Sequence, residues 1–221
     1  MKNNKVIYTV ITGDYDTVIE PTTITPGWDY ICFTNNPNVQ PKSWEVVRID
    51  SDEPHVLLSR RPKICFFEYV RPEHNICVYI DANIMIQCNL DEYVAKALPD
   101  GMTIGTLLHP GWGCAYQEAE AIKRLGKANP EVVDRQVGQY ASEGFPRNYG
   151  QVFANLIVYR NYNIKVREHC KHWWNEFSHP DKARRDQLSF HYINWKYRLI
   201  NLHMTSSSVL HNNEFKILPH G

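Results

Sequence analysis

No apolar stretch in these 221 residues approaches the ~18 that a membrane-spanning helix needs. The polar start, Met1 to Lys5, leads straight into a strand-like run with no secretory leader pattern. A cytoplasmic protein is therefore expected, one that reaches a membrane only peripherally. Neither charge is in excess: Lys+Arg and Asp+Glu both number 24. That excludes the broad basic surface nucleic acid requires, though not a small basic pocket. The six cysteines (32, 65, 77, 88, 114 and 170) include no C-x-x-C pair and no metal spacing. Several sit in apolar runs, so they read as buried free thiols in a reducing compartment, with no disulfide. H-E-x-x-H and G-x-S-x-G are both missing, which argues against a zinc or serine hydrolase. There is no repeat, low-complexity block or linker, and the length suits a single domain of residues 1–221.

What the chain does contain is organised around Ile76-Cys77-Val78-Tyr79-Ile80-Asp81-Ala82-Asn83-Ile84-Met85-Ile86. The β-branched and aromatic run before Asp81 reads as a buried strand. A carboxylate at the end of such a strand needs compensation. Asp81 and the amide oxygen of Asn83 are hard oxygen ligands, two residues apart on one side of an extended segment, and suit Mg²⁺ or Mn²⁺. An Asp in this position is also a common turn or cap residue.

Around that segment the pattern alternates strands and helices. Strands are expected at Lys5–Thr12, Asp29–Thr34, Trp44–Ile49, Thr103–Leu108, Gln151–Arg160 and Tyr197–His203. Gly13-Asp14-Tyr15-Asp16 follows the first of them, where open α/β sheets bind ligands. Ser59-Arg60-Arg61-Pro62-Lys63 reads as the start of a helix running to about Val70, with Ser59 as its cap. Three cations in a first turn oppose the helix dipole, and a bound anion would relieve them. Further helices are expected from Asn89 to about Pro99, over Cys114–Lys127, Pro130–Ser142 and Ile164–Phe177, and from Asp186. On the fourth of these, His169, Cys170 and His172 read as core or surface rather than metal ligands. The fold class is a single α/β domain with a mostly parallel central sheet flanked by helices.

A set of short motifs makes the order more specific. They are Arg61-Pro62-Lys63, Tyr79-Ile80-Asp81-Ala82-Asn83-Ile84, His109-Pro110, Cys114-Ala115-Tyr116-Gln117-Glu118-Ala119, Tyr140 with Glu143-Gly144-Phe145-Pro146, and Arg185-Asp186-Gln187-Leu188-Ser189-Phe190. Together, over roughly residues 5 to 200, they resemble the GT-A-type glycosyltransferases. Within these the chain is similar to the plant and microbial mucilage-related hexosyltransferase-like family, formerly a domain of unknown function.

The resemblance implies transfer of a hexose from a UDP- or GDP-sugar to a glycan or other hydroxyl acceptor, in polysaccharide biosynthesis. It implies Mn²⁺ or Mg²⁺ held by Asp81, Asn83 and a tail histidine, His211 first and His203 second. The tail, about 204–221, would close over the nucleotide site, with Lys216 near the donor. Thr12, Asp14 and Tyr15 would line the base and ribose, Arg61 and Lys63 would add positive charge, and Asn155 would reach the sugar or its acceptor. Asp186 and Gln187 would be catalytic, Asp186 orienting the donor sugar or taking the acceptor proton. His109 and Glu118 would flank the acceptor. The neutral Asn83, where such motifs carry a second acid, favours weaker metal binding. It also motivates the alternative of a catalytically weak nucleotide-sugar or glycan binding protein.

Overall fold

The computed structural model describes residues 3–14, 16–50 and 52–219. The chain runs β1 (Lys5–Ile11), β2 (Trp28–Thr34), β3 (Glu45–Arg48) and α1 (His55–Ile64). It continues through β4 (Ile76–Ile80), β5 (Ile84–Ile86), α2 (Leu90–Ala97) and β6 (Ile104–Leu108). Then come α3 (Ala115–Arg124), α4 (Pro130–Ser142), β7 (Val152–Arg160), α5 (Ile164–Ser178) and α6 (Asp186–Tyr197). Last are β8 (Leu202–Thr205) and β9 (Phe215–Ile217).

Seven strands form one sheet in the order β3-β2-β1-β4-β7-β6-β8, and β5 pairs with β9 in a separate small ribbon. β7 is antiparallel to both its neighbours, while every other pairing in the large sheet is parallel. Six strands therefore point one way, as the alternating pattern predicts. Both faces are buried, which is why these strands read as continuous apolar runs. One face carries Tyr8, flanked edge-on by Phe33 and Tyr79, with Tyr159 stacked on Phe66. The other face carries Ile7, Val78 and Val158, covered by Leu90, Tyr93 and Ala97 of α2.

Three local expectations change. α1 begins four residues before Ser59, with Pro54 in the capping position, so Arg61 and Lys63 fall in its last turn. There cations complement the dipole instead of opposing it, and no free N–H groups await an anion. α6 runs on to Tyr197 and ends at Arg198 in the left-handed conformation, so the last sheet strand starts only at Leu202. The tail adds β9, whose pairing with β5 is set across the length of the chain.

The six cysteines are free, five of them buried and Cys88 half-buried. His169 and His191 are buried, with both ring nitrogens unpartnered among the described residues. Burial pushes their pKa down, to about 3 and about 4. An unfolded imidazole titrates near about 6.5, so below that pH the unfolded chain takes up protons that the native state refuses. The stability these two neutral rings allow is complete above about 6.5 and is lost as pH falls towards about 4 for His191 and about 3 for His169, on the order of a few kcal/mol each. The melting temperature should drop across this window, and His169→Leu should make the drop shallower.

Candidate active site

The parallel strands β1 and β4 end side by side, and the residues just past them are Thr12 and Asp81. Because β7 runs the other way, its early half lies at the same sheet edge. The backbone N–H of Asp81 donates to the Asn155 carbonyl at 2.9 Å. Ligands bind at such carboxyl ends in open α/β sheets. Here the edge opens into a cleft of about 630 Å³, lined by Thr12, Asp16, Ser59, Arg60 and Lys63 on one side. Asp81, Asn83, Asn155 and Ile217 form its floor and tail wall, and Glu118, Lys127, Arg185, Asp186 and Gln187 its far side.

Asp81 is half-buried, and its Oδ1 accepts the Tyr79 hydroxyl at 2.6 Å. Asn83 is buried, and its Nδ2 donates to the Leu218 carbonyl at 2.8 Å. The Leu218 N–H returns a bond to the Asn83 carbonyl, which fixes the tail against this corner. With Nδ2 engaged, the side-chain oxygen is the end of Asn83 left for a ligand.

On the opposite wall Asp186 opens α6, and Arg185 rather than Asp186 occupies the cap position. Asp186 Oδ2 lies 2.5 Å from the Lys63 ammonium and 3.7 Å from Arg60. Burial alone would raise the Asp186 carboxyl, but Lys63 and Arg60 outweigh it and hold it well below the usual carboxylate range. Lys63 is only 3 % exposed and also sits over the Tyr79 ring.

Asn155 owes its aim to a register shift. β6 pairs Thr106 with Ile157 but Leu107 with Phe153, so residues 154–156 bulge out of the β6–β7 ladder while Leu156 stays paired with Ile80 of β4. The freed Ala154 N–H donates to Gln187 Oε1 at 2.9 Å. The Asn155 side-chain oxygen is buried and without a partner among the described residues, on a residue that lines the cleft.

Glu118, near the start of α3, is buried, and burial raises its pKa despite Gln187, Arg185 and Lys127 nearby. His109 Nε2 is 3.8 Å from Glu118 Oε2. Burial and then the Lys127 charge lower His109 to about 4, so the ring is neutral near pH 7.

The structure thus brings together Thr12, Lys63, Asp81, Asn83, Glu118, Asn155, Asp186 and Gln187, with His109 just behind Glu118. It leaves others out. Arg61 turns away: its guanidinium is held by Glu53 and Glu68 and lies over Trp174. Asp14 is exposed and accepts from Asn36. Lys216 is exposed on β9, and its backbone pairs with Met85. His211 is exposed after a 3-10 turn, and like His203 it is not among the cleft-lining residues. Tyr15 lies outside the described residues. Arg60, Lys127 and Arg185 also line the cleft, although no role there was read for them in the sequence. For Arg60 a signal was there: once α1 is placed, Arg60 and Lys63 are three apart on one face and Arg61 is not.

Arg61→Ala should accordingly leave nucleotide affinity unchanged and cost about 1 kcal/mol of stability, the scale of half-exposed ion pairs. Parallel calorimetry and thermal melts check both halves of this expectation.

As to a metal, among the described residues no three His, Cys, Asp or Glu side chains gather to hold an ion. The donor set at this corner is Asp81 and the amide oxygen of Asn83. That fits the way Mg²⁺ is usually held, by one or two protein oxygens with substrate phosphates and water supplying the rest.

A family model described as TOD1/MUCI70, glycosyltransferase-like domain, matches residues 38–218. No curated protein matches the sequence. Among solved structures, mouse xyloside xylosyltransferase 1 in its apo form has a TM-score of 0.51 over 92% of this chain and 85% of that one. The two are 9% identical, a likeness of fold alone.

Proposed function

The chain belongs to the TOD1/MUCI70 glycosyltransferase-like family, and we propose that it moves a hexose from a UDP- or GDP-sugar to a hydroxyl of a glycan. The observation that carries this reading is the composition of the cleft. Two hard oxygen ligands, Asp81 and Asn83, share it with four cationic residues: Arg60, Lys63, Lys127 and Arg185. A diphosphate with a divalent ion is the ligand that uses both halves of such a set.

Asp81 and Asn83 would hold Mn²⁺ or Mg²⁺, which supplies Lewis-acid neutralisation of the leaving diphosphate. The protein's own contributions follow from its charges. Asp186 holds Lys63 and Arg60 in place, so their charge is organised before the donor arrives. Asn155 offers an unpaired oxygen to a sugar hydroxyl. Thr12 edges the nucleoside side, and Gln187 braces the bulge against Glu118. The tail from β9 to Leu218 walls the site through Ile217 and its bonds to Asn83. No helix among the described residues is long and apolar enough to cross a membrane, and the free thiols fit a reducing compartment.

The test is a panel of UDP- and GDP-hexoses with Mn²⁺ and oligosaccharide acceptors, followed by release of the nucleoside diphosphate. Turnover of at least one donor is expected. Tight binding with no turnover would favour the weakly catalytic binding protein instead, and neither binding nor turnover would overturn the reading.

A further inference from the structure

One carboxylate oxygen in the cleft has no use in the folded chain. Glu118 is 7% exposed, and its Oε2 has no hydrogen-bond partner among the described residues. Its Oε1 takes only a long contact, 3.5 Å, from Gln187 Nε2. The groups around it are themselves fixed. Gln187 cannot turn its amide, because its Oε1 accepts the Ala154 N–H freed by the β7 bulge. His109 Nδ1 accepts the N–H groups of Gly111 at 3.1 Å and Trp112 at 3.0 Å. Its proton therefore sits on Nε2, the atom that faces Glu118 Oε2 at 3.8 Å. That gap is too long for a hydrogen bond, so Oε2 stays a buried, unpaired acceptor on a residue that lines the cleft.

We propose that Glu118 is the base that takes the proton from the acceptor hydroxyl, an assignment that rests on the transferase reading above. In the step it serves, the acceptor oxygen bonds to the anomeric carbon of the donor. The bond from that carbon to the diphosphate breaks, and its electron pair leaves on the diphosphate. The hydroxyl proton passes to Glu118 Oε2, and the anomeric configuration inverts.

The carboxylate that the motifs offered for this proton is Asp186, and its surroundings disqualify it. It is clamped by Lys63 and Arg60 and held well below the ordinary range, a poor proton acceptor. Glu118 is shifted the other way. Burial and the neighbouring Asp186 charge raise it, Arg185 and Lys127 oppose this, and His109 faces it neutral. Two carboxylates whose environments drive them apart divide their roles, and the one raised towards working pH is the better base.

The test uses the full chain with Mn²⁺ and a UDP- or GDP-hexose, with water as the acceptor. NMR of the released sugar should show inversion. In Glu118→Gln, kcat should fall about 10²- to 10⁴-fold while donor Kd changes by less than about threefold. The wild-type kcat should decline on the acid side at a pH above that of an ordinary carboxylate, and the variant should lack this limb. Retention of configuration, or kcat of Glu118→Gln within about tenfold of wild type, overturns the assignment. Should Glu118→Gln fail to fold, the configuration of the wild-type product decides alone. Retention by a wild type that binds UDP or GDP with Mn²⁺ removes only the base. A wild type that binds neither nucleotide removes the transferase reading and the base together.

Discussion

Lys63→Met is expected to lower stability by about 3 kcal/mol, because it leaves the buried Asp186 carboxylate without its nearest counter-charge. The Lys63 side chain is 4% exposed and that of Asp186 12%, so water cannot replace the lost ammonium. Arg60 remains 3.7 Å away and limits the damage. The double variant Lys63→Met/Asp186→Asn should regain much of the loss, since removing both partners leaves no uncompensated charge. The same single variant should weaken nucleotide binding by about tenfold or more, because a charge-assisted contact to phosphate is lost. Urea titrations of the three proteins measure the first effect and calorimetry the second. A Lys63→Met protein as stable as wild type would mean the pair is not the buried clamp described here.

Much of the frame was legible because local pattern decided it. Asn89 caps α2 with bonds to Asp91 and Glu92, and Pro130 opens α4, both at positions their residue types announce. The continuous apolar runs of β1, β2, β4 and β7 mark strands buried on both faces. Asp81 could be placed because its strand ends in an acid. What was not legible depends on residues far apart in the chain. The bulge that aims Asn155 exists only through the pairing of β6 with β7. Asn83 is tied to Leu218, 135 residues away, a bond that no local pattern announces. Arg61 was expected beside the donor and lies away from the cleft for a nearer reason. A Ser-x-x-Pro start and a basic turn suggested a helix beginning at Ser59. It begins at His55 instead, after Pro54 in the capping position, which turns Arg60 and Lys63 to the cleft and Arg61 to Glu53 and Glu68.

The second large effect is at Asp81. A donor diphosphate brings about two negative charges to a corner where Asp81 already supplies one, and without a cation they repel. Asn83 adds no negative charge, so the protein's own hold on a metal is weak and the site should fill mainly when nucleotide arrives. Asp81→Ala removes the only carboxylate of the pair. It should cost little in folding, roughly 1 kcal/mol for the Tyr79 hydroxyl left without its acceptor. It should cost nearly all of the metal's effect on binding, and turnover with it.

The account turns on one calorimetric comparison: UDP and GDP titrated into wild type and Asp81→Ala, each with and without Mn²⁺. Wild type should bind one of the nucleotides at least about tenfold more tightly when Mn²⁺ is present, and Asp81→Ala should show no such strengthening. If Asp81→Ala keeps the full Mn²⁺-dependent gain, Asp81 is a turn residue at the end of β4 and not the metal's anchor.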